Sequence, residues 1–122
     1  VGIDLTLRDL QAKAKEKGQP WDMAKGFDLS APVSALTPVA QVDRPGQGAI
    51  WLSVNGVERQ RGDLAQMIWT VPEVIAHLSR LVTLAPGDLI FTGTPAGVGP
   101  LVPGDRVQCG IEGLGELDVR IV

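Results

Sequence analysis

Cysteine and histidine are nearly missing from this 122-residue chain, which has one of each, Cys109 and His77. A single cysteine excludes an internal disulfide framework and makes a reducing compartment, the cytoplasm, the expected location. With one histidine, neither a serine–histidine triad nor a histidine-rich zinc site can be assembled from these residues alone. His77 is expected on the surface of a helix, and Cys109 inside a strand as a small buried hydrophobe. Positive charge is not in excess either. The net charge is −3 and the pI about 5.0, the opposite sign from a phosphate-backbone binder. Lys13, Lys15 and Lys17 are interrupted by Glu16, as on a solvated helix face, so nucleic acid is not an expected partner. No apolar run approaches the ~20 residues of a membrane span, and no membrane partner is expected. No signal peptide is visible. The chain opens Val1-Gly2-Ile3-Asp4 without a methionine and reads as the middle of a strand. An amino-terminal segment is therefore expected to precede it.

What is present is a globular composition, 44% hydrophobic and 20% charged. The length suits one domain but is short for a complete enzyme. Fifteen glycines and nine prolines argue for turns and short strands instead of a helical bundle. After a strand end at Val1–Leu5, a helix is expected over about Thr6–Lys17. Thr6 would cap it, Gly18 would close it, and Leu7, Leu10 and Ala14 would form its apolar stripe. Gln19–Ser34 lacks periodicity and reads as an ordered loop. Asn55-Gly56 marks a type I′ turn between two strands in Ala49–Gly62. A second helix is expected over about Val71–Leu84, with Pro72 in its first turn and Val71, Val74, Ile75, Leu78, Leu81 and Val82 buried. A strand at Asp88–Thr92, a loop at Gly93–Pro100, and strands at about Asp105–Glu112 and Glu116–Val122 follow. The expected fold class is mainly β with two helices, α+β.

Few positions carry chemistry by their own pattern. Asp4 stands before a helix, and the spacing to Arg8 and Gln11 places all three on one helical side, away from the apolar stripe. Such a carboxylate suits a hard divalent cation, with Arg8 and Gln11 free to bond a ligand; it also suits a plain helix cap. Lys25 lies among small and apolar residues, where an ammonium could stabilise an enolate or simply reach solvent with its stem on Trp21 or Phe27. The loop Thr92-Gly93-Thr94-Pro95-Ala96-Gly97-Val98-Gly99 allows close backbone approach to a ligand. It lacks the ending of a P-loop and is no dinucleotide fingerprint. From these residues alone no reaction follows.

Several blocks in order do resemble one family. They are Asp4-Leu5-Thr6-Leu7-Arg8-Asp9-Leu10-Gln11, then Gly18-Gln19-Pro20-Trp21 through Ala24-Lys25-Gly26-Phe27-Asp28. Val54-Asn55-Gly56, Met67-Ile68-Trp69, Val71-Pro72-Glu73 and Pro86-Gly87-Asp88 come next, leading into the loop from Thr92 to Gly99. Pro103-Gly104-Asp105 and Ile111-Glu112-Gly113-Leu114-Gly115 complete them. Together they are similar to the carboxyl-terminal domain of the fumarylacetoacetate hydrolase family, in its acylpyruvase and fumarylpyruvate hydrolase branch.

The resemblance implies a mixed β-roll of that domain type over residues 1–122, in a homodimer. It implies an Mg²⁺- or Mn²⁺-dependent enzyme, with Ca²⁺ able to stand in, that cleaves the carbon–carbon bond of an acylpyruvate. By resemblance Asp4 is a metal ligand, Lys25 and Gln11 are catalytic, and Thr94, Gly93 and Arg8 bind a small 2-oxo acid. The family's other two carboxylate ligands, in a Glu-x-Glu motif, and its water-activating His/Glu pair lie upstream of this chain. The same metal-enolate chemistry serves oxaloacetate decarboxylation and isomerisation of an unsaturated 2-hydroxy diacid, which remain alternatives. A catalytically silent dimerisation or binding domain is a third reading, opposed by Asp4, Lys25 and Gln11 occurring together.

Overall fold

Asn55 and Gly56 reverse the chain between its first two strands. In the computed structural model, which describes Val1–Val122, they take φ of 52° and 79°. That left-handed pair is what a two-residue type I′ turn requires, and glycine and asparagine reach it most cheaply. The turn joins β1 (Ala49–Val54) to β2 (Val57–Asp63). It is also pinned from outside: Asn55 Nδ2 donates to Asp105 at 2.8 Å, and the Arg106 amide donates to Asn55 Oδ1 at 2.9 Å. The expected hairpin is present.

Arg106 opens β3 (Arg106–Ile111), which returns through a tight turn as β4 (Gly115–Arg120). The four strands form one antiparallel sheet in the order β2-β1-β3-β4. Register puts Ile50, Leu52 and Val54 on the same face as Val107, Cys109 and Ile111. On that face Val107, fully buried, meets Ile3 and Cys109 at the centre of the core. On the other face Gly110 lies under the Trp51 indole, which leaves no room for a Cβ there. The pairing of β1 with β2 slips between Leu52 and Ser53: Leu52 faces Gln60 while Ser53 faces Glu58, so Arg59 is an extra, bulged residue.

Before the sheet, Val1–Leu7 is held against the segment up to Ser34 by a run of backbone bonds. Ser34 N donates to Val1 O, Ile3 N to Pro32 O, Leu5 N to Ser30 O and Leu7 N to Ala24 O, at 2.8–3.0 Å. Two helices belong to this layer, α1 (Arg8–Glu16) and the short α2 (Asp22–Lys25). After β2 comes α3 (Val71–Leu78), capped by Thr70 and Glu73, with proline in its first turn as expected. The chain is α+β in class, with a mainly β core. No helix is long and apolar enough to cross a membrane.

Several local expectations are corrected. Thr6 does not cap α1; Leu7 holds that position without a side-chain cap, and the helix starts at Arg8. The stripe on α1 is reversed, because Leu7 and Leu10 are exposed while Gln11 is buried. The segment Gln19–Ser34 contains the extra helix α2. The second expected helix stops at Leu78, short of Leu84, and none of its residues is buried. Asp88–Thr92 forms no strand: a strand exists only through ladder bonds, and this segment pairs with none of the four strands. His77 is exposed and Cys109 buried, both as expected.

Candidate active site

Alternation along the first strand-like segment decides how Asp4 is presented. Ile3 turns into the core and Leu5 is half-buried, so Asp4 between them points out of the layer. The bonds Leu5 N→Ser30 O and Leu7 N→Ala24 O place the end of α2 beside it. Ala24, almost completely buried, fixes that end, and the next residue reaches Asp4. Lys25 Nζ lies 2.9 Å from both carboxylate oxygens of Asp4. Their side chains are 38% and 52% exposed, so the pair is open to solvent and not enclosed in a pocket. Beside it Lys25, Gln19, Pro20, Trp21 and Asp22 line a concavity of about 420 Å³. The Lys25 ammonium points to Asp4. The Trp21 ring carries the Lys15 ammonium, 4.6 Å from its centroid.

Gln11 and Arg8 form a second pair one helical turn long. Arg8 Nη1 donates to Gln11 Oε1 at 3.2 Å, which leaves the Gln11 amide nitrogen without a bond inside the chain. Arg8 makes no ion pair with Asp4. Asp4 itself lies outside α1, so the three residues do not share a helix face as their spacing suggested. The third group is the loop after Phe91. Thr94 Oγ1 accepts a 2.7 Å bond from Gln60 Nε2, and Gly93 takes a φ of 119° with open space where a side chain would stand. The Phe91 ring covers Gly2, two residues before Asp4, closely enough to exclude a Cβ there. Thus Asp4 meets Lys25, Arg8 meets Gln11, and Thr94 meets a residue the sequence did not single out, Gln60. Nothing in the polar run Val57–Asp63 distinguishes that glutamine; only the bulge at Arg59 and the burial of its amide do.

The carboxyl-terminal domain model of fumarylacetoacetate (FAA) hydrolase matches residues 1–122. The chain belongs to the fumarylacetoacetate hydrolase family. Among solved structures it is similar to the fumarylpyruvate hydrolase of Pseudomonas aeruginosa in complex with Mn²⁺ and pyruvate. There the identity is 52% and the TM-score 0.94, over 99% of this chain and 52% of that one. Maleylpyruvate hydrolase of Sphingobium, also solved with manganese and pyruvate, gives 39% and 0.79, over 82% of this chain and 38% of that one. The human mitochondrial oxaloacetate tautomerase is 43% identical over 119 residues, 98% of this chain and 54% of that protein. The chain spans about half the length of the curated relatives it matches.

For this fumarylacetoacetate hydrolase family chain the fit to a divalent cation can be tested on the residues present. Asp4 is a hard oxygen donor, half exposed and free of any backbone cap, which suits Mg²⁺ or Mn²⁺. Nowhere do three or more His, Cys, Asp or Glu side chains converge. Asp4 therefore fits as one donor of a larger set and cannot chelate a cation by itself.

Proposed function

We propose that this chain forms one wall of the active site of a divalent-metal-dependent hydrolase that splits acylpyruvates, 2,4-dioxo acids such as fumarylpyruvate, into pyruvate and a carboxylic acid. The observation that carries the reading is the pairing of Lys25 with both oxygens of Asp4 on the open surface. An ammonium has three donors. Two go to Asp4, and the third remains for a ligand oxygen.

With the cation bound through Asp4 and donors from outside these residues, the site gains a Lewis acid that polarises oxo-acid oxygens. The chain's own groups then have defined tasks. Lys25 offsets negative charge on the pyruvate portion as the carbon–carbon bond breaks and its electron pair moves toward pyruvate. The hydroxide equivalent of water adds to the distal acyl carbon, and the separated pyruvate enolate takes up a proton. Gln11, its oxygen occupied by Arg8, offers only N–H donors to the oxo acid. Arg8 acts through Gln11. Thr94 and the open backbone at Gly93 face the ligand carboxylate. The solved Pseudomonas and Sphingobium relatives with manganese and pyruvate support this assignment. Likeness to the human oxaloacetate tautomerase favours a second reading, proton transfer on oxaloacetate at the same groups, with Lys25 again beside the enolate. A small 2-oxo acid is the proposed ligand, and a second copy of the protein the proposed partner of the open apolar faces.

The test uses the complete protein with Mn²⁺. Loss of fumarylpyruvate absorbance is expected with metal and not after EDTA. Lys25→Met should lower kcat about 10²–10³-fold with unchanged thermal stability. Asp4→Ala should weaken Mn²⁺ binding, read by calorimetry, by at least about tenfold. Fast oxaloacetate tautomerisation without acylpyruvate cleavage would replace the hydrolase by the second reading. Unaltered Mn²⁺ affinity in Asp4→Ala would remove both.

A further inference from the structure

We propose that Gln60 is a positioning residue of this site: it holds the Thr94 hydroxyl so that its proton is turned outward, as a donor for the ligand's carboxylate. The proposal rests on the reading of Thr94 as a carboxylate contact.

Gln60 is out of place by composition. Register sets it opposite Leu52, which faces Cys109, which in turn faces Leu117, so it shares the core-side row of the sheet with three apolar residues. It is 8% exposed. An amide buried there has to find partners, and it finds two: Nε2 lies 2.7 Å from Thr94 Oγ1 and 2.7 Å from the Pro95 carbonyl oxygen. A carbonyl oxygen can only accept. The atom it faces must be the NH₂ group, which fixes the orientation of the whole amide. Both amide protons are thereby used, and Thr94 Oγ1 accepts one of them. A threonine hydroxyl can accept or donate; here its lone pair is engaged and its own proton is not, since Thr94 donates no bond within the chain. A carboxylate needs a donor. Gln60 supplies that polarity in advance.

The backbone around this contact is over-determined. The bulge leaves Arg59 unpaired with β1, and its carbonyl presses on Gly97 so closely that any Cβ at Gly97 would overlap it. Gly97 also takes a φ of 102°, which disfavours other residues. Pro95 lies over Gly62, where a Cβ would stand 3.3 Å from the proline ring. Arg59, Gln60 and Gly62 thus clamp the loop at three points along β2. Phe91 against Gly2 ties the start of the same loop to the segment bearing Asp4.

The test titrates pyruvate calorimetrically into the complete Mn²⁺-loaded protein and compares Thr94→Val, Gln60→Leu, the isosteric Gln60→Glu and the double variant Gln60→Leu/Thr94→Val. Thr94→Val and both Gln60 variants are each expected to weaken pyruvate binding about tenfold or more, and the double variant no more than Thr94→Val alone. If Thr94→Val leaves affinity unchanged, the carboxylate reading of Thr94 fails. If Thr94→Val weakens binding and the Gln60 variants do not, the role of Gln60 is overturned. It is equally overturned if Gln60→Leu costs as much again in the Thr94→Val background, which would mark general loosening of the loop. Neutron diffraction of the wild-type pyruvate complex reads the same point without a variant: a Thr94 deuteron aimed at pyruvate supports the assignment, and one aimed at Gln60 defeats it.

Discussion

Cys109 shows at the scale of one residue how burial decides reactivity. Its side chain joins Ile3 and Val107 in the core, and desolvation pushes its thiol above the ordinary value. The thiolate is the reactive form, so at neutral pH the folded protein holds an inert thiol. Under native conditions Cys109 is expected not to react with a disulfide reagent such as DTNB, and to react stoichiometrically once urea unfolds the chain. Rapid native labelling would mean that the core around Val107 opens easily. Lys25 is the opposite case. Its charge is kept partly in solvent and aimed at Asp4, so it remains available to a ligand. Both residues stand within one or two positions of a core member, Cys109 beside Val107 and Lys25 beside Ala24, and yet the direction of each side chain gives them different chemistry.

At the scale of elements the β3–β4 hairpin carries a pH dependence with a definite sign. Asp118 is held below the ordinary carboxylate value of 3.8 by hydrogen bonds and charge from Arg106, and Asp105 by the Val102 amide and then the Asn55 amide. Folded values below the unfolded ones mean that the unfolded chain binds more protons in acid. The stability these groups give is fully present above about pH 4 and is lost as pH falls through and below 3.8. Urea midpoints of the complete protein should therefore fall on this acid limb. Asp118→Asn should flatten the limb and lower the midpoint at pH 7, less so in high salt because the pair is exposed. An unchanged limb would remove the pair from the stability of the hairpin. The sheet was legible in the sequence where turn chemistry is local, at Asn55-Gly56, and in its last two strands, expected at about Asp105–Glu112 and Glu116–Val122 and found at Arg106–Ile111 and Gly115–Arg120. Helix α3 was legible at its start, where Pro72 stands, but not at its end. Asp88–Thr92 failed as a strand because a partner is not written in five residues of apolar pattern. Of the candidate site, Asp4 and Lys25 were singled out through resemblance, and these two side chains do meet. Gln60 was hidden because its meaning depends on a bulge and on a loop 34 residues away.

On the scale of the whole molecule the protein exposes more than a chain of its size should. Its accessible surface is 8949 Å², where a folded monomer of 12.9 kDa exposes roughly 6300 Å². The excess, on the order of 2600 Å², is as large as an obligate interface. Only eight residues are buried, whereas Ile68 is 93% exposed, Leu29 82% and Leu36 80%. On α3 Val71 and Ile75 are exposed and Val74 and Leu78 only half-buried, although their spacing is that of a core-facing helix. Periodicity reports that a face is apolar; it does not report which surface covers it. The exposed surface at Asp4 has the same character under the proposed reading, in which a site that stabilises an enolate works best with water excluded. On that reading covering surface and further metal donors are expected to arrive together in the complete protein. Ile68→Asp separates a covered face from a wet one. If the residue is in water as it stands here, the change is neutral within about 0.5 kcal/mol. If the face is covered in the complete protein, a buried unpaired carboxylate costs at least about 2 kcal/mol. The expected result is a lowered urea midpoint for Ile68→Asp, together with a smaller sedimenting mass if a second copy provides the cover. A midpoint and a mass both equal to the wild-type values would put this face in solvent.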